Sequence, residues 1–231
     1  LRKRAKNLKP AMPQILKVDS NTEGVFKKAR EIFLAGGVIA FPTDTFYALG
    51  VDPFNPEAVE RVFELKGREK NKPLLLLISS RVQLETMVKE ITPAHSALMQ
   101  KFWPGPLTLL FEPDSVIPEN VSAGSNRIGI RQPGNPLTRD LISALGQPIT
   151  APSANRSGEN PPITAKQVQQ SFGNQVDLII DGGTCQGGKP STLIDAAEMP
   201  VRLVRAGALA FPAIEMALRN IAKTVHPEVL G

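Results

Sequence analysis

The sequence predicts one α/β domain: a twisted mixed β-sheet with flanking helices. Three observations predict it. Short apolar runs rich in β-branched residues alternate irregularly with segments of helical period. The hydrophobic share of 42% is ordinary for a packed globule. The 21 prolines are spread along the chain, so they read as fixed loops between elements and nowhere as a linker.

The elements follow in order. Gln14 to Val18 reads as a short strand. Thr22 is expected to cap a helix with apolar residues at Val25, Phe26, Ala29, Ile32 and Phe33, ended by Gly36. Gly37 to Pro42 is a buried strand feeding the polar turn Thr43-Asp44-Thr45. Asn55-Pro56-Glu57 starts a second helix with Pro56 at its first position, and Gly67 ends it. Leu74 to Ser79 is a buried strand, and helices follow near 81–88 and 93–102. Leu107 to Phe111 and Arg127 to Arg131 are strands, Asn135 to Leu145 a helix and Gln147 to Ala151 a strand. Gln167 to Phe172 is helical. Val176 to Asp181, Ser191 to Asp195 and Val201 to Val204 are strands, and a last helix runs from about Pro212 to Lys223. We expect residues 1–13 to be a basic flexible tail, 14–224 the folded domain, and 225–231 a C-terminal tail.

The formal charge of +5 comes from 27 basic and 22 acidic residues. Arg2, Lys3, Arg4, Lys6 and Lys9 account for the whole excess, because without these five the chain carries 22 basic against 22 acidic residues. A uniformly basic, nucleic-acid-coating body is disfavoured, whereas a local basic pocket is not. The longest strongly apolar run, Leu74 to Ile78, is far short of the ~20 residues needed to span a bilayer. Ala11, Met12 and Pro13 follow the basic start without an apolar signal-peptide core. The single cysteine, Cys185, forms no internal disulfide. We therefore expect a cytoplasmic protein with no membrane partner. The chain opens on Leu1, which suggests a trimmed or unusual start.

Several chemistries are disfavoured. Two histidines, His95 and His226, and one cysteine make a His/Cys zinc site improbable, and both histidines are expected to be surface or partly exposed residues. The chain contains no G-x-S-x-G elbow and no G-x-G-x-x-G after a strand. Gly183 to Lys189 fits G-x-x-x-x-G-K, but Pro190 and the strand from Ser191 follow it where a phosphate loop needs Ser or Thr and a helix. It reads as a glycine-rich connection between two strands.

What remains is a set of charged and hydroxyl residues at strand ends. Lys66, Arg68, Lys70 and Lys72 place four cations within seven residues at a helix C-terminus, more than the dipole needs. Arg68 offers a planar fork and Lys66 a point charge, a pair suited to polyphosphate. Taken alone, this segment reads as a solvated basic loop, and anion binding gains only from the other segments. Ser153 and Asn155 follow a short strand and, if extended, face one side; both also favour turns. Arg131 ends a strand and is placed either to clamp a carboxylate or to make a surface ion pair.

Taken together, Pro42-Thr43-Asp44-Thr45-Phe46-Tyr47, Lys66-Gly67-Arg68, Trp103-Pro104-Gly105-Pro106-Leu107-Thr108, Ile128-Gly129-Ile130-Arg131-Gln132-Pro133, Ser153-Ala154-Asn155 and Ser191-Thr192-Leu193-Ile194-Asp195 stand in the order found in the YrdC-like family of threonylcarbamoyl-AMP synthases. The resemblance runs from about Gly24 to Ile221. It implies a single YrdC-like domain with a large basic cavity. The implied reaction makes threonylcarbamoyl-AMP and pyrophosphate from L-threonine, bicarbonate and ATP, for threonylcarbamoyl-adenosine modification of tRNA. Magnesium accompanies the triphosphate, and no protein metal site is implied.

By the same resemblance, Lys66, Arg68, Ser153 and Asn155 are the catalytic signature. Those four together with Lys72, Arg127, Pro161 and Arg205 hold the nucleotide. Thr45, Arg131, Ala151 and Ser191 hold threonine, with Arg131 on its carboxylate. No general base is evident. Implied partners are the substrates, tRNA or double-stranded RNA, and downstream threonylcarbamoyl-transferase proteins. Two positions depart from the pattern: Leu77 stands where many relatives carry histidine, and Ala48 where glycine is usual, the latter as in the YciO-like branch. The chain ends soon after its last helix, so the second domain of longer relatives is expected to be absent. Two other readings stand beside the synthase. One is an RNA-binding or ribosome-maturation protein of the same fold. The other is a carbamoyl-adenylate-forming relative that uses a different acceptor.

Overall fold

Asn21 starts the first long helix by accepting the Gly24 N–H on its side chain, so the cap is Asn21 and not the expected Thr22, which is the first helical residue. The structure, a computed structural model, describes residues 14–19 and 21–224. The expected tails at 1–13 and 225–231, and with them His226, lie outside the described residues.

In chain order the elements are β1 (Gln14–Lys17), α1 (Thr22–Leu34), β2 (Ile39–Phe41), β3 (Ala48–Gly50), α2 (Pro56–Lys66), β4 (Leu76–Leu77), α3 (Arg81–Glu85), α4 (Pro93–Phe102), β5 (Leu107–Phe111), α5 (Glu119–Ser122), β6 (Ile128–Arg131), α6 (Pro136–Leu145), β7 (Ile149–Thr150), α7 (Ala165–Phe172), β8 (Leu178–Asp181), β9 (Thr192–Asp195), β10 (Arg202–Arg205) and α8 (Phe211–Thr224). Asn55, Thr92, Asn135 and Thr164 cap α2, α4, α6 and α7 through their side chains. Pro56, Pro93 and Pro136 occupy first-turn positions, where a missing N–H costs nothing.

The mixed pairing is distributed over two sheets. One has the order β1-β8-β2-β3 and the other β10-β9-β5-β6-β4-β7. They meet edge to edge: the Leu49 N–H donates to the Pro152 carbonyl, Ala154 N–H to Tyr47 and Thr150 N–H to Val51. β3 therefore continues the ladder into the segment after β7, with Ala48 bridged to Ser153. The strands are shorter than the apolar runs suggested. Of the run from Leu74 to Ser79 only Leu76 and Leu77 form ladder pairs, against β6 on one side and β7 on the other.

Two apolar clusters cover the sheets. The larger includes Tyr47, Val62, Leu98, Phe111, Ile130 and Val168. The smaller includes Phe33, Ile39, Leu77, Leu141 and Ile180. His95 is a correction to the expected surface residue, being 2% exposed. Its Nδ1 accepts the Thr92 N–H at 3.2 Å, its Nε2 pairs with the Leu110 carbonyl at 2.9 Å, and its ring stacks on Phe111. Burial lowers its basicity. Among the described residues no helix is long and apolar enough to cross a membrane.

Candidate functional site

Gly67 sets up the basic loop. It takes the left-handed conformation (φ 57°), its N–H returns to the Glu64 carbonyl, and the Arg68 N–H returns to Phe63. This double closure reverses the chain at the helix end, where a side chain would be strained. The reversal sends Lys66 and Arg68 in different directions. Arg68 reaches a cavity of about 500 Å³, with its Nη2 donating to the Pro73 carbonyl at 2.9 Å and its Nε to Lys72 at 3.3 Å. Lys66 turns inward instead. It is 4% exposed, and its Nζ donates to the backbone carbonyls of Ser153 and of Asn155, the latter at 2.7 Å.

Ser153 and Asn155 do not share a face as an extended pair would. The Asn155 N–H donates back to the Ser153 carbonyl at 2.9 Å, a three-residue turn that rotates the second side chain inward. Ser153 lines the cavity. Asn155 is buried, and its Nδ2 donates to the Arg156 and Glu159 carbonyls, both at 2.8 Å. Lys66 and Asn155 thus stand outside the cavity wall and hold the loop that carries Ser153.

The other sequence-predicted residues converge. Thr45, Arg131, Ala151 and Ser191 line the cavity, as do Lys72, Arg127, Pro161 and Arg205. The Arg205 Nη2 donates to the Ser191 carbonyl at 2.9 Å and to its Oγ at 3.0 Å. Thr108 completes this group: it lines the wall, is 2% exposed and shares a 2.7 Å hydrogen bond with the Ser191 Oγ. Sequence reasoning included Thr108 in a motif without giving it a role. Lys70, one of the four cations of the basic loop, pairs with Glu60 at the surface. Lys72 pairs with Glu69 at 3.2 Å from the cavity rim. Leu77 is buried in the smaller core cluster and is not among the lining residues.

The wall carries five cations and no carboxylate. Burial lowers the basicity of Arg68, Arg131 and Arg205, and the Arg68 charge lowers that of Arg205 further. Buried cations crowded in this way favour an anionic ligand. Among the described residues no group of three or more His, Cys, Asp or Glu is placed to hold a metal ion. The donor set fits phosphate and carboxylate oxygens.

The glycine-rich segment from Gly183 to Lys189 connects β8 to β9, as its sequence suggested. It braces the Thr43–Tyr47 turn. The Tyr47 hydroxyl donates to the Gly183 carbonyl at 2.8 Å, and the Gly187 N–H donates to Thr45 at 2.8 Å.

Known proteins resemble this chain in sequence and in fold. The family comprising Sua5, YciO and YrdC, described as "Telomere recombination", matches residues 31–207. The threonylcarbamoyl-AMP synthase of Pyrococcus abyssi is 40% identical over 196 residues, covering 85% of this chain and 57% of that protein. The crystal structure of P. abyssi Sua5 complexed with L-threonine superposes with a TM-score of 0.84 at 36% identity, covering 89% of this chain and 60% of that one. The Escherichia coli YciO crystal structure gives a TM-score of 0.78 at 29% identity, covering 86% and 98%. The chain thus spans less than two thirds of its P. abyssi relative.

Proposed function

The chain belongs to the Sua5, YciO and YrdC family, and from that premise we propose that it is an L-threonylcarbamoyladenylate synthase, a nucleotidyltransferase acting in the cytoplasm. The carrying observation is a 500 Å³ cavity whose wall presents Arg68, Lys72, Arg127, Arg131 and Arg205 beside the hydroxyls of Thr45, Ser153 and Ser191, with no acidic residue.

In this reading the threonine amine and bicarbonate form a carbamate with loss of water. A carbamate oxygen attacks the α-phosphorus of ATP, the bond from that phosphorus to the bridging oxygen breaks, and pyrophosphate leaves. Positioning and charge neutralisation are the protein's contribution. Arg68, Lys72, Arg127 and Arg205 neutralise the phosphates, while Ser153 orients them. Lys66 and Asn155 hold the Ser153 loop. Arg131 takes the threonine carboxylate, with Thr45, Ser191 and the Ala151 backbone around the amino acid. Magnesium enters as the counter-ion of ATP and belongs to the substrate. The adenylate passes to a downstream transferase that modifies tRNA. The threonine bound to P. abyssi Sua5 supports this choice of amino acid.

The test incubates the protein with magnesium, ATP, bicarbonate and each amino acid in turn, following pyrophosphate and the adenylate by mass spectrometry. Threonine-dependent threonylcarbamoyl-AMP is the expected product, and its absence overturns the reading. Arg68→Ala and Ser153→Ala should each lower turnover at least tenfold in folded protein; unchanged turnover removes them from the site.

A further inference from the structure

Asp44 has no role in the reading above, yet its carboxylate is the acidic group against Arg131, with Oδ1 3.4 Å from the Arg131 Nη2. The Arg131 side chain is 3% exposed. A guanidinium so far from water needs a counter-charge, because leaving one member of a buried pair alone is strongly destabilising. The contact is nonetheless too long for a strong hydrogen bond. Both Asp44 oxygens and the Arg131 Nε and Nη1 are buried without a hydrogen-bond partner. The pair is therefore balanced in charge while these donors remain unpaired. Arg131 lines the cavity and Asp44 does not, so the carboxylate backs the guanidinium from the protein side.

The backbone fixes Asp44 there. The Thr43 Oγ1 accepts the N–H groups of Thr45 and Phe46 at 3.1 and 3.2 Å, closing a tight turn around it. Gly134 leaves the room. A Cβ there would lie 3.1 Å from the Asp44 Oδ2, tighter than an ordinary contact.

We propose that Asp44 is a positioning residue for amino-acid recognition: it balances the charge of the Arg131 guanidinium and orients it, so that the donors left unpaired meet the carboxylate of the incoming amino acid. This rests on the assignment of Arg131 to that carboxylate under the synthase reading.

Asp44→Asn keeps the shape and removes the charge. The expected result is a threonine KM raised about tenfold, with kcat and the ATP KM within twofold of wild type. Threonine affinity measured by calorimetry should fall in parallel. Arg131→Lys should weaken threonine too, and the double variant should lose less than the product of the two single losses. Gly134→Ala leaves every charge in place and presses on the Asp44 Oδ2; it should raise the threonine KM severalfold with kcat unchanged. That variant decides the matter if Asp44→Asn does not fold. A threonine KM unchanged in whichever variants fold, or a rise shared equally by ATP, overturns the role of Asp44. Wild-type protein without threonine-dependent product overturns the synthase reading instead, so the two failures are distinct.

Discussion

Lys66 illustrates how a side chain can sit in a basic motif and serve its neighbour. Burial, and secondarily the Arg68 charge, pull its ammonium down to about 8. Between about 8 and the free-lysine value of 10.5 the unfolded chain holds more protons than the folded one, so stability rises with pH across that window. Below about 8 the penalty for the buried charge is fully present. The stability difference between wild type and Lys66→Met, followed by denaturant unfolding from pH 7 to 10, should therefore move in favour of wild type. A flat difference would mean that Lys66 titrates as a free lysine. The residue types of the site were legible in the sequence because Arg68, Arg131, Ser153 and Ser191 sit at strand ends beside glycine and proline. The inward turn of Asn155 was not, because one backbone bond between neighbours decides it and either conformation suits Ser-Ala-Asn. His95 was misread as surface because a lone histidine at a helix start carries no sign of the carbonyl waiting for it on β5.

Elements place these residues, and their ends matter more than their lengths. Gly207, just beyond β10, shows this. A Cβ there would lie 2.4 Å from the Pro190 carbonyl oxygen and the Thr192 nitrogen, backbone that cannot yield cheaply. Gly207→Ala should therefore displace Ser191 from Arg205 and lower turnover at least tenfold, with a clear loss in thermal stability; wild-type behaviour in both assays would refute the close approach. Asn55→Ala, which removes the α2 cap, should cost about 1 kcal/mol in denaturant unfolding with little change in turnover. The helices were legible from their Asn, Thr and Pro starts and glycine stops. β3 was missed because three residues between polar turns carry no period; it pairs with the neighbouring β2, but its other edge is set by Pro152, far along the chain. For the same reason one expected sheet emerged as two joined ladders.

At the scale of the whole molecule, charge separates into two populations. The excess of +5 resides in five cations before residue 10, whereas the cavity collects its cations from a body whose charges sum to zero. Deleting residues 1–9 should leave ATP- and threonine-dependent pyrophosphate release within twofold while weakening low-salt retention of RNA. A large fall in turnover would tie that segment to the cavity. The two ladders meet where the Thr45 and Ser153 segments lie side by side, joined by the Leu49 to Pro152 and Ala154 to Tyr47 hydrogen bonds. Opening that seam would dismantle both halves of the cavity at once. Hydrogen exchange makes the consequence visible: the Leu49 and Ala154 amides should exchange together, and a ligand confined to either half should slow both.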